Sequence, residues 1–310
     1  MSFPIQDKLV VAVSSSALFN LEEADKIYRK YGVERYKEFQ INNRDNILQK
    51  GKAFPFIRRL LGINEHFENR PIEVVVLSRN SPESGLRISQ SIRDYKLDIS
   101  RFAFTAGKNP CVYMDAFNVS LFLSTNKADV DEAIAMNLPA GEIIESEVDD
   151  DPSDRQLRVA FDFDSVLADD TSERSFKAHG EQLEMYLSNE EEKKYESLPP
   201  GPLQNFFVQL SAIQAQERQR QLEDQNYSRI IETSIVTARN APADQRAIYT
   251  LLEWGVDVDN MFLLGGIDKS SILKVLKPHV YFDDQLKHLD SSLKNIPMVH
   301  IPFGIRNLKD

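Results

Sequence analysis

The sequence predicts an α/β protein built from two tandem parallel-sheet units of Rossmann-like type. Three observations carry this expectation. Short apolar runs alternate with helical, charged segments, the pattern of parallel sheets with crossover helices. The order of those runs in the first half returns in the second, and internal repeats reset the whole reading of a chain. Finally, 310 residues is long for one domain at the usual ~100–200 residues each.

In the first half, Val10–Val13 reads as a buried strand, followed by Ser14-Ser15-Ser16 and a charged helix from about Leu21 to Tyr31. Ile72–Leu77 is a second strand. It ends in Ser78-Arg79-Asn80-Ser81-Pro82, and a helix follows from about Gly85 to Tyr95. Phe102–Thr105 and Val119–Leu123 are the third and fourth strands, the last ending in Ser124-Thr125.

The second half repeats this order. Val159–Phe161 with Asp162-Phe163-Asp164 matches Val11–Val13 with Ser14-Ser15-Ser16. Ser234–Val236 leads into Thr237-Ala238-Arg239-Asn240-Ala241-Pro242, set against Leu77-Ser78-Arg79-Asn80-Ser81-Pro82. Met261–Leu264 with Gly265-Gly266 matches Phe104-Thr105-Ala106-Gly107, and Val280–Phe282 with Asp283-Asp284 matches Leu121–Leu123 with Ser124-Thr125. The expected organisation is a degenerate first unit over 1–148, an acidic linker over 149–156 and a second unit over 157–310. A helical region at about 171–230 is expected to cap the carboxyl end of the second sheet, with Gln214 to Gln225 as an exposed polar helix.

Composition excludes several function classes. A formal net charge of −11 argues against non-specific nucleic-acid binding, which needs clustered Lys and Arg. It leaves room for a phosphorylated small molecule held by local Lys, backbone N–H groups and a cation. The single Cys111 allows no intramolecular disulfide, the apolar run Leu9–Val13 is too short for a signal peptide, and no stretch reaches membrane-spanning length. A reducing cytoplasm is the expected compartment. Self-association is left open.

The chemistry concentrates at Asp162-Phe163-Asp164. Two carboxylates at the end of a buried strand resist ionising together unless a cation or a shared proton separates them. Mg2+ binding and an Asp nucleophile with an acid/base neighbour would each use such a pair, and an ordinary turn after a strand would also contain Asp. Thr237, Lys269 and Asp283/Asp284 then follow at or near later strand ends, which converge in a parallel sheet. The repeat acts as a control, because Ser14, Ser16 and Ser124 stand where the second half has Asp162, Asp164 and Asp283.

That order of residues resembles the haloacid dehalogenase superfamily of phosphotransferases: D-x-D on the first strand, Thr on the second, a Lys before the fourth and acids closing it. Ser78–Arg87, Asp162–Leu167, Phe176–Gly180, Leu198–Pro202, Val236–Pro242 and Phe282–Gln285 are together similar to the cytosolic 5′-nucleotidase family acting on AMP, IMP and related monophosphates. The resemblance covers nearly the whole chain. It implies a haloacid-dehalogenase-type fold with a degenerate first unit, and a Mg2+ site formed by Asp162, the backbone carbonyl of Asp164 and Asp283, with Asp284 either a second ligand or a hydrogen-bond partner of the ligands. It further implies Asp162 as nucleophile, Asp164 as acid/base, and Thr237 and Lys269 on the phosphoryl group. Lys274 competes with Lys269, which is favoured because it follows Gly265-Gly266 in the family pattern.

Substrate contacts are expected from Arg79 and Asn80 in the first half, from Phe176 and His179 in the cap, and from Ala238 and Arg239 beside Thr237. His279 is assigned to a strand start, His288 to a helix surface, and His66 and His300 to no role. Two alternatives stay open: a phosphatase of another small phosphomonoester, and a nucleotide sensor without turnover.

Overall fold

In a computed structural model of the protein, the described residues are 3–144, 150–151, 153–178, 180, 182–289, 293 and 296–308. The chain divides into two compact units, Met1–Leu138 and Pro139–Asp310. The division falls before residue 148, because a strand at 140–143 belongs to the second unit's sheet. Most of the expected acidic linker lies outside the described residues.

The first unit contains β1 (Leu9–Val13), α1 (Ser15–Leu18), α2 (Glu22–Asn42), α3 (Phe54–Gly62), β2 (Ile72–Ser78), α4 (Pro82–Asp94), β3 (Arg101–Phe104), β4 (Val119–Ser124) and α5 (Lys127–Ala135). Its strands pair in the order β3-β2-β1-β4, all parallel. Every residue of β1 is buried, as a central strand covered on both faces requires. Helix α4 starts where the sequence sets a cap: the Ser81 hydroxyl accepts from the Ser84 N–H, and Pro82 occupies the first turn. Helix α2 runs to Asn42, beyond the expected end near Tyr31, across a break at Gly32 where φ is 82°.

The second unit contains β5 (Ala140–Ile143), β6 (Leu157–Phe161), α6 (Thr171–Ala178), α7 (Leu183–Glu192), α8 (Gln204–Glu223), β7 (Ile231–Thr237), α9 (Asp244–Glu253), β8 (Asn260–Leu263), α10 (Lys269–Leu276), β9 (Val280–Asp283) and β10 (Met298–His300). Its order is β5-β10-β9-β6-β7-β8, parallel except for β5 against β10. The α/β architecture with parallel sheets is therefore as expected, while β5 and β10 are additions.

Helix α8 refines one expectation. Most of the stretch Gln214 to Gln225 is exposed as expected, but the earlier turns of the helix pack on the sheet and two polar residues of the stretch are buried. Phe207 stands edge-on to Phe161 of β6 at 5.2 Å and Phe206 edge-on to Phe282 of β9 at 6.1 Å. Gln214 and Glu217 are fully buried. Glu217 accepts from the Ile230 and Ile231 N–H groups at 2.9 and 3.1 Å, so it terminates the backbone at the start of β7. Gln214 joins Thr233 and Asp259 at 3.1 and 2.7 Å. Polar residues count as buried here because each meets a backbone or side-chain partner.

The two units share a ladder register. Val13 pairs with Val76 and Leu123, and Phe161 with Ile235 and Phe282. Ser14 donates its N–H to Leu123 as Asp162 does to Phe282, at 2.9 and 2.8 Å. Ser78 pairs with Phe104 and Thr237 with Leu263, so from second to fourth strand the offset is 159 positions (237 − 78, 282 − 123). This moves one expected match by a residue. Thr237 corresponds to Ser78 and Arg239 to Asn80, because the ladder, not the shared Arg-Asn letters, fixes the alignment. The chain crossing after the first strand also recurs: the Gly51 N–H donates to Leu18 and the Gly201 N–H to Leu167. Both glycines are required there, since an added Cβ would lie 2.5 Å from the Ala17 carbonyl oxygen or 2.3 Å from that of Ala168.

Candidate active site

The carboxyl ends of β6, β7 and β9 and the start of α10 carry the site. Parallel strands in register bring Asp162, Thr237 and Asp283 to the same edge of the sheet, and α10 opens on Lys269 just after its cap, the Asp268 carboxylate. The Lys269 ammonium lies 2.6 Å from Asp162 Oδ2 and 2.8 Å from Asp283 Oδ2, with all three side chains buried. Lys274, by contrast, is exposed on the same helix. Thr237 is buried and accepts from the Arg239 N–H at 3.3 Å.

Two carboxylates face one ammonium here, so the cluster carries an excess negative charge in a buried place. Burial pushes the Asp162 carboxyl up to about 7, against the pull of Lys269. Burial acts on Asp283 in the same sense, but Lys269 and His288 outweigh it and hold that carboxyl well below the usual range. The difference is one of donors. Asp283 receives the Gln285 N–H at 2.8 Å, the Tyr281 hydroxyl and His288 Nδ1 at 3.1 Å, whereas Asp162 Oδ1 receives only the Phe163 N–H. Asp283 is thus the fixed anion of the pair. The Lys269 ammonium, against the cost of burial, is held charged by both acids.

Asp284 is the unsatisfied member. It is 1% exposed, and among the described residues neither carboxylate oxygen has a hydrogen-bond partner. Burial, then the charges of Asp162 and Asp283, push it up to about 10. Its backbone carbonyl is pinned by His300 Nε2 at 2.9 Å and Asn307 Nδ2 at 3.0 Å, so the residue is fixed while its side chain goes unpaired. A buried carboxylate so placed is stable only when protonated or beside a cation. Carboxylate oxygens are the donors that Mg2+ selects. One ligand atom each from Asp162, Asp283 and His288 also lie within 4.8 Å of one another.

Asp164 is engaged differently. Its carboxylate receives Arg239 Nε at 2.8 Å and Nη2 at 2.6 Å, a two-pronged ion pair. Arg239 is buried, also held by Glu190, Ser172 and the Ala243 carbonyl, and Phe163 lies under it at 5.3 Å. Its guanidinium is therefore committed to the protein and not presented to a substrate. Ala238 is exposed beside Thr237. Phe176 is half-buried and stands edge-on to Tyr186 at 5.6 Å. His179 lies outside the described residues. In the first unit, Arg79 pairs with Asp129 at 2.6 Å and Glu132 at 3.2 Å, and Asn80 bridges Tyr36 at 2.6 Å and Ser15 at 3.0 Å, so both are taken up by that unit's own groups.

The chain matches a family model described as 5′-nucleotidase over residues 1–308. The chain belongs to the 5′-nucleotidase family. It is also 33% identical over 294 residues to "Cytosolic 5′-nucleotidase 1B" of Homo sapiens, covering 93% of this chain and 47% of the relative. It thus spans about half the length of the curated relative it matches. No solved structure matches the chain. Among the described residues, no helix is long and apolar enough to cross a membrane.

Sequence reasoning passed over several members of this cluster. Tyr281 lies two residues before Asp283 on the same strand face, a spacing readable from the period of two. His288 was assigned to a helix surface, but its ring faces Asp283. Glu190 and Ser172 gave no local signal, since their partner Arg239 lies 49 and 67 positions away, and Arg246 gave none, since its partner Glu190 lies 56 positions away on α7.

Proposed function

We propose that the protein is a Mg2+-dependent 5′-nucleotidase of the cytoplasm that hydrolyses nucleoside 5′-monophosphates of the AMP or IMP kind. Its second unit acts as a haloacid-dehalogenase-type catalytic domain, with α6 and α7 as the cap and the first unit as a degenerate copy. The observation that carries this reading is the buried cluster of Asp162, Asp283 and Lys269 beside the unpaired Asp284.

Asp162, Asp283, Asp284 and the backbone carbonyl of Asp164 would hold Mg2+. When bound, the ion offsets the charge of a phosphate dianion that otherwise repels a carboxylate. Asp162 is the nucleophile: one of its oxygens bonds to phosphorus as the bond to the 5′ oxygen breaks, giving an aspartyl phosphate. Asp164 gives its proton to the departing 5′ oxygen. It then takes a proton from the water that attacks phosphorus and frees Asp162. Lys269 keeps Asp162 oriented and counters charge on the phosphoryl oxygens, and the Thr237 hydroxyl donates to one of them.

The test is phosphate release from AMP, IMP and sugar phosphates, with Mg2+ and with EDTA, by wild-type and Asp162→Asn protein. The expected result is Mg2+-dependent turnover of the nucleotides and none from the variant. Preference for sugar phosphates would assign another ester. Tight AMP binding without release would assign a sensor.

A further inference from the structure

A second set of buried charges adjoins this site, and only its first member, Asp164, takes part in the steps above. Asp164, Arg239, Glu190 and Arg246 form a continuous chain of ion pairs at 2.6, 2.6 and 3.0 Å. The four residues come from four places: the loop after β6, the loop after β7, α7 and α9. Side-chain exposure is 1% for Arg239, zero for Glu190 and 5% for Arg246.

Arg239 is fully specified. A guanidinium has five N–H donors. Here Nε meets Asp164 Oδ2, Nη2 meets Asp164 Oδ1 and Ser172 Oγ, and Nη1 meets Glu190 Oε2 and the Ala243 carbonyl, which makes five acceptors. Glu190 is the anion that fixes the far side of the fork. Its Oε1 also receives Ser172 Oγ at 2.9 Å and Arg246 at 3.0 Å. With both sides fixed, the plane of the guanidinium fixes the plane of the Asp164 carboxylate. Buried ion chains contribute little net stability compared with apolar packing. What this one supplies is orientation, and it ends on the carboxylate assigned to proton transfer.

We propose that Glu190 is a positioning residue that acts through Arg239, so that the Asp164 carboxylate is aimed at the leaving oxygen only while α7 is seated against the loop that carries Arg239. This rests on the reading of Asp164 as the acid/base. Glu190 and Ser172 lie on the two helices assigned to the cap, so the same contact couples seating of the cap to the chemistry.

The leaving group separates this from a merely structural role. The 5′ oxygen of AMP needs a proton as it departs, whereas p-nitrophenolate does not. In Glu190→Gln protein, kcat/KM for AMP is expected to fall about tenfold or more, and that for p-nitrophenyl phosphate by less than about twofold, since general acid catalysis contributes roughly 10²–10⁴. Glu190→Asp, which keeps the charge, should recover part of the AMP loss. Removing the charge leaves two buried guanidinium groups short of an anion, so folding is checked by thermal melting. Ser172→Ala removes one brace of Arg239 without stranding a charge, and should show the same selectivity to a smaller degree. It decides the question if Glu190→Gln protein does not fold. Equal losses on both esters, or no loss on AMP, would overturn the proposal. Wild-type protein inert toward both esters with Mg2+ would overturn the hydrolase reading and this inference together.

Discussion

The strand ends of the two units are the same scaffold carrying different chemistry. In the second unit they hold Asp162, Asp164, Thr237, Arg239 and Asp283; at matching ladder positions the first has Ser14, Ser16, Ser78, Asn80 and Ser124. Asn109 caps the Cys111 N–H as Asp268 caps that of Ser270, so Pro110 stands where Lys269 does. The first unit closes on itself through neutral bonds, Ser15 to Ser78 at 2.9 Å and Thr125 to Ser16 at 2.8 Å. The second leaves Asp284 unpaired. The lesson is that the ladder does not need the charges, which are an addition to a frame that is stable without them.

The sharpest way to break this comparison is to make the second unit resemble the first. Asp162→Ser should lower phosphate release from AMP by about 10³-fold or more, because the proposed nucleophile is lost, while the fold persists. Activity near that of wild type would mean that the charged set is not the catalytic one.

Next comes Asp284, replaced by its first-unit counterpart in Asp284→Thr. Its folded carboxyl titrates at about 10 against an ordinary 3.8, so this group's contribution to stability is intact below the unfolded value and is lost as pH rises toward 10. Metal-free wild-type protein should therefore melt at lower temperature as pH goes from 5 to 8, and Mg2+ should flatten that slope. The variant should keep only the smaller slope that Asp162 contributes and gain about 1–3 kcal/mol at pH 8 without metal, by removal of an unpaired buried carboxyl. A pH-independent melting temperature in EDTA would contradict the assignment.

The Glu217 bridge from α8 to the start of β7 is the charged counterpart of Asn64, which holds the Ile72 N–H and carbonyl at the start of β2 at 2.9 Å each. Glu217→Ala strands two backbone N–H groups, and chemical denaturation should report a loss of about 2–3 kcal/mol. A loss below half a kcal/mol would show that Glu217 does not hold the start of β7. Smallest of all should be Ser14→Ala, which removes the cap of α1, costs about 1 kcal/mol and changes turnover of AMP by less than about twofold. A larger loss of turnover would show that the first unit takes part in catalysis.

Most of this frame was legible because buried strands announce themselves as short apolar runs, and eight of them were expected where ladders exist. The strand β5 was missed because Gly141 and Glu142 interrupt its apolar character. The glycine is explained only by tertiary packing, since a Cβ there would lie 2.3 Å from Val299. At three residues, β10 is too short to show a period. Gln214 and Glu217 looked like solvent-facing residues because their partners, Thr233, Asp259, Ile230 and Ile231, are remote in sequence. Within the site, residues at strand ends could be gathered from order alone. Those reaching in from helices, Glu190 and Arg246, could not, because charge in a helix is read as surface by default.

The constant offset from Ser78 to Thr125 means that this stretch and Thr237 to Asp284 are cassettes of equal length, entering and leaving their sheets at matching rungs. Divergence in length is confined to the segment between the first and second strands, where α8 has 20 residues and α3 has nine. The protein therefore offers a natural pair of interchangeable parts. A chimaera that carries the second cassette twice asks whether phosphate chemistry can be installed on a frame by exchange alone, with no adjustment of loops.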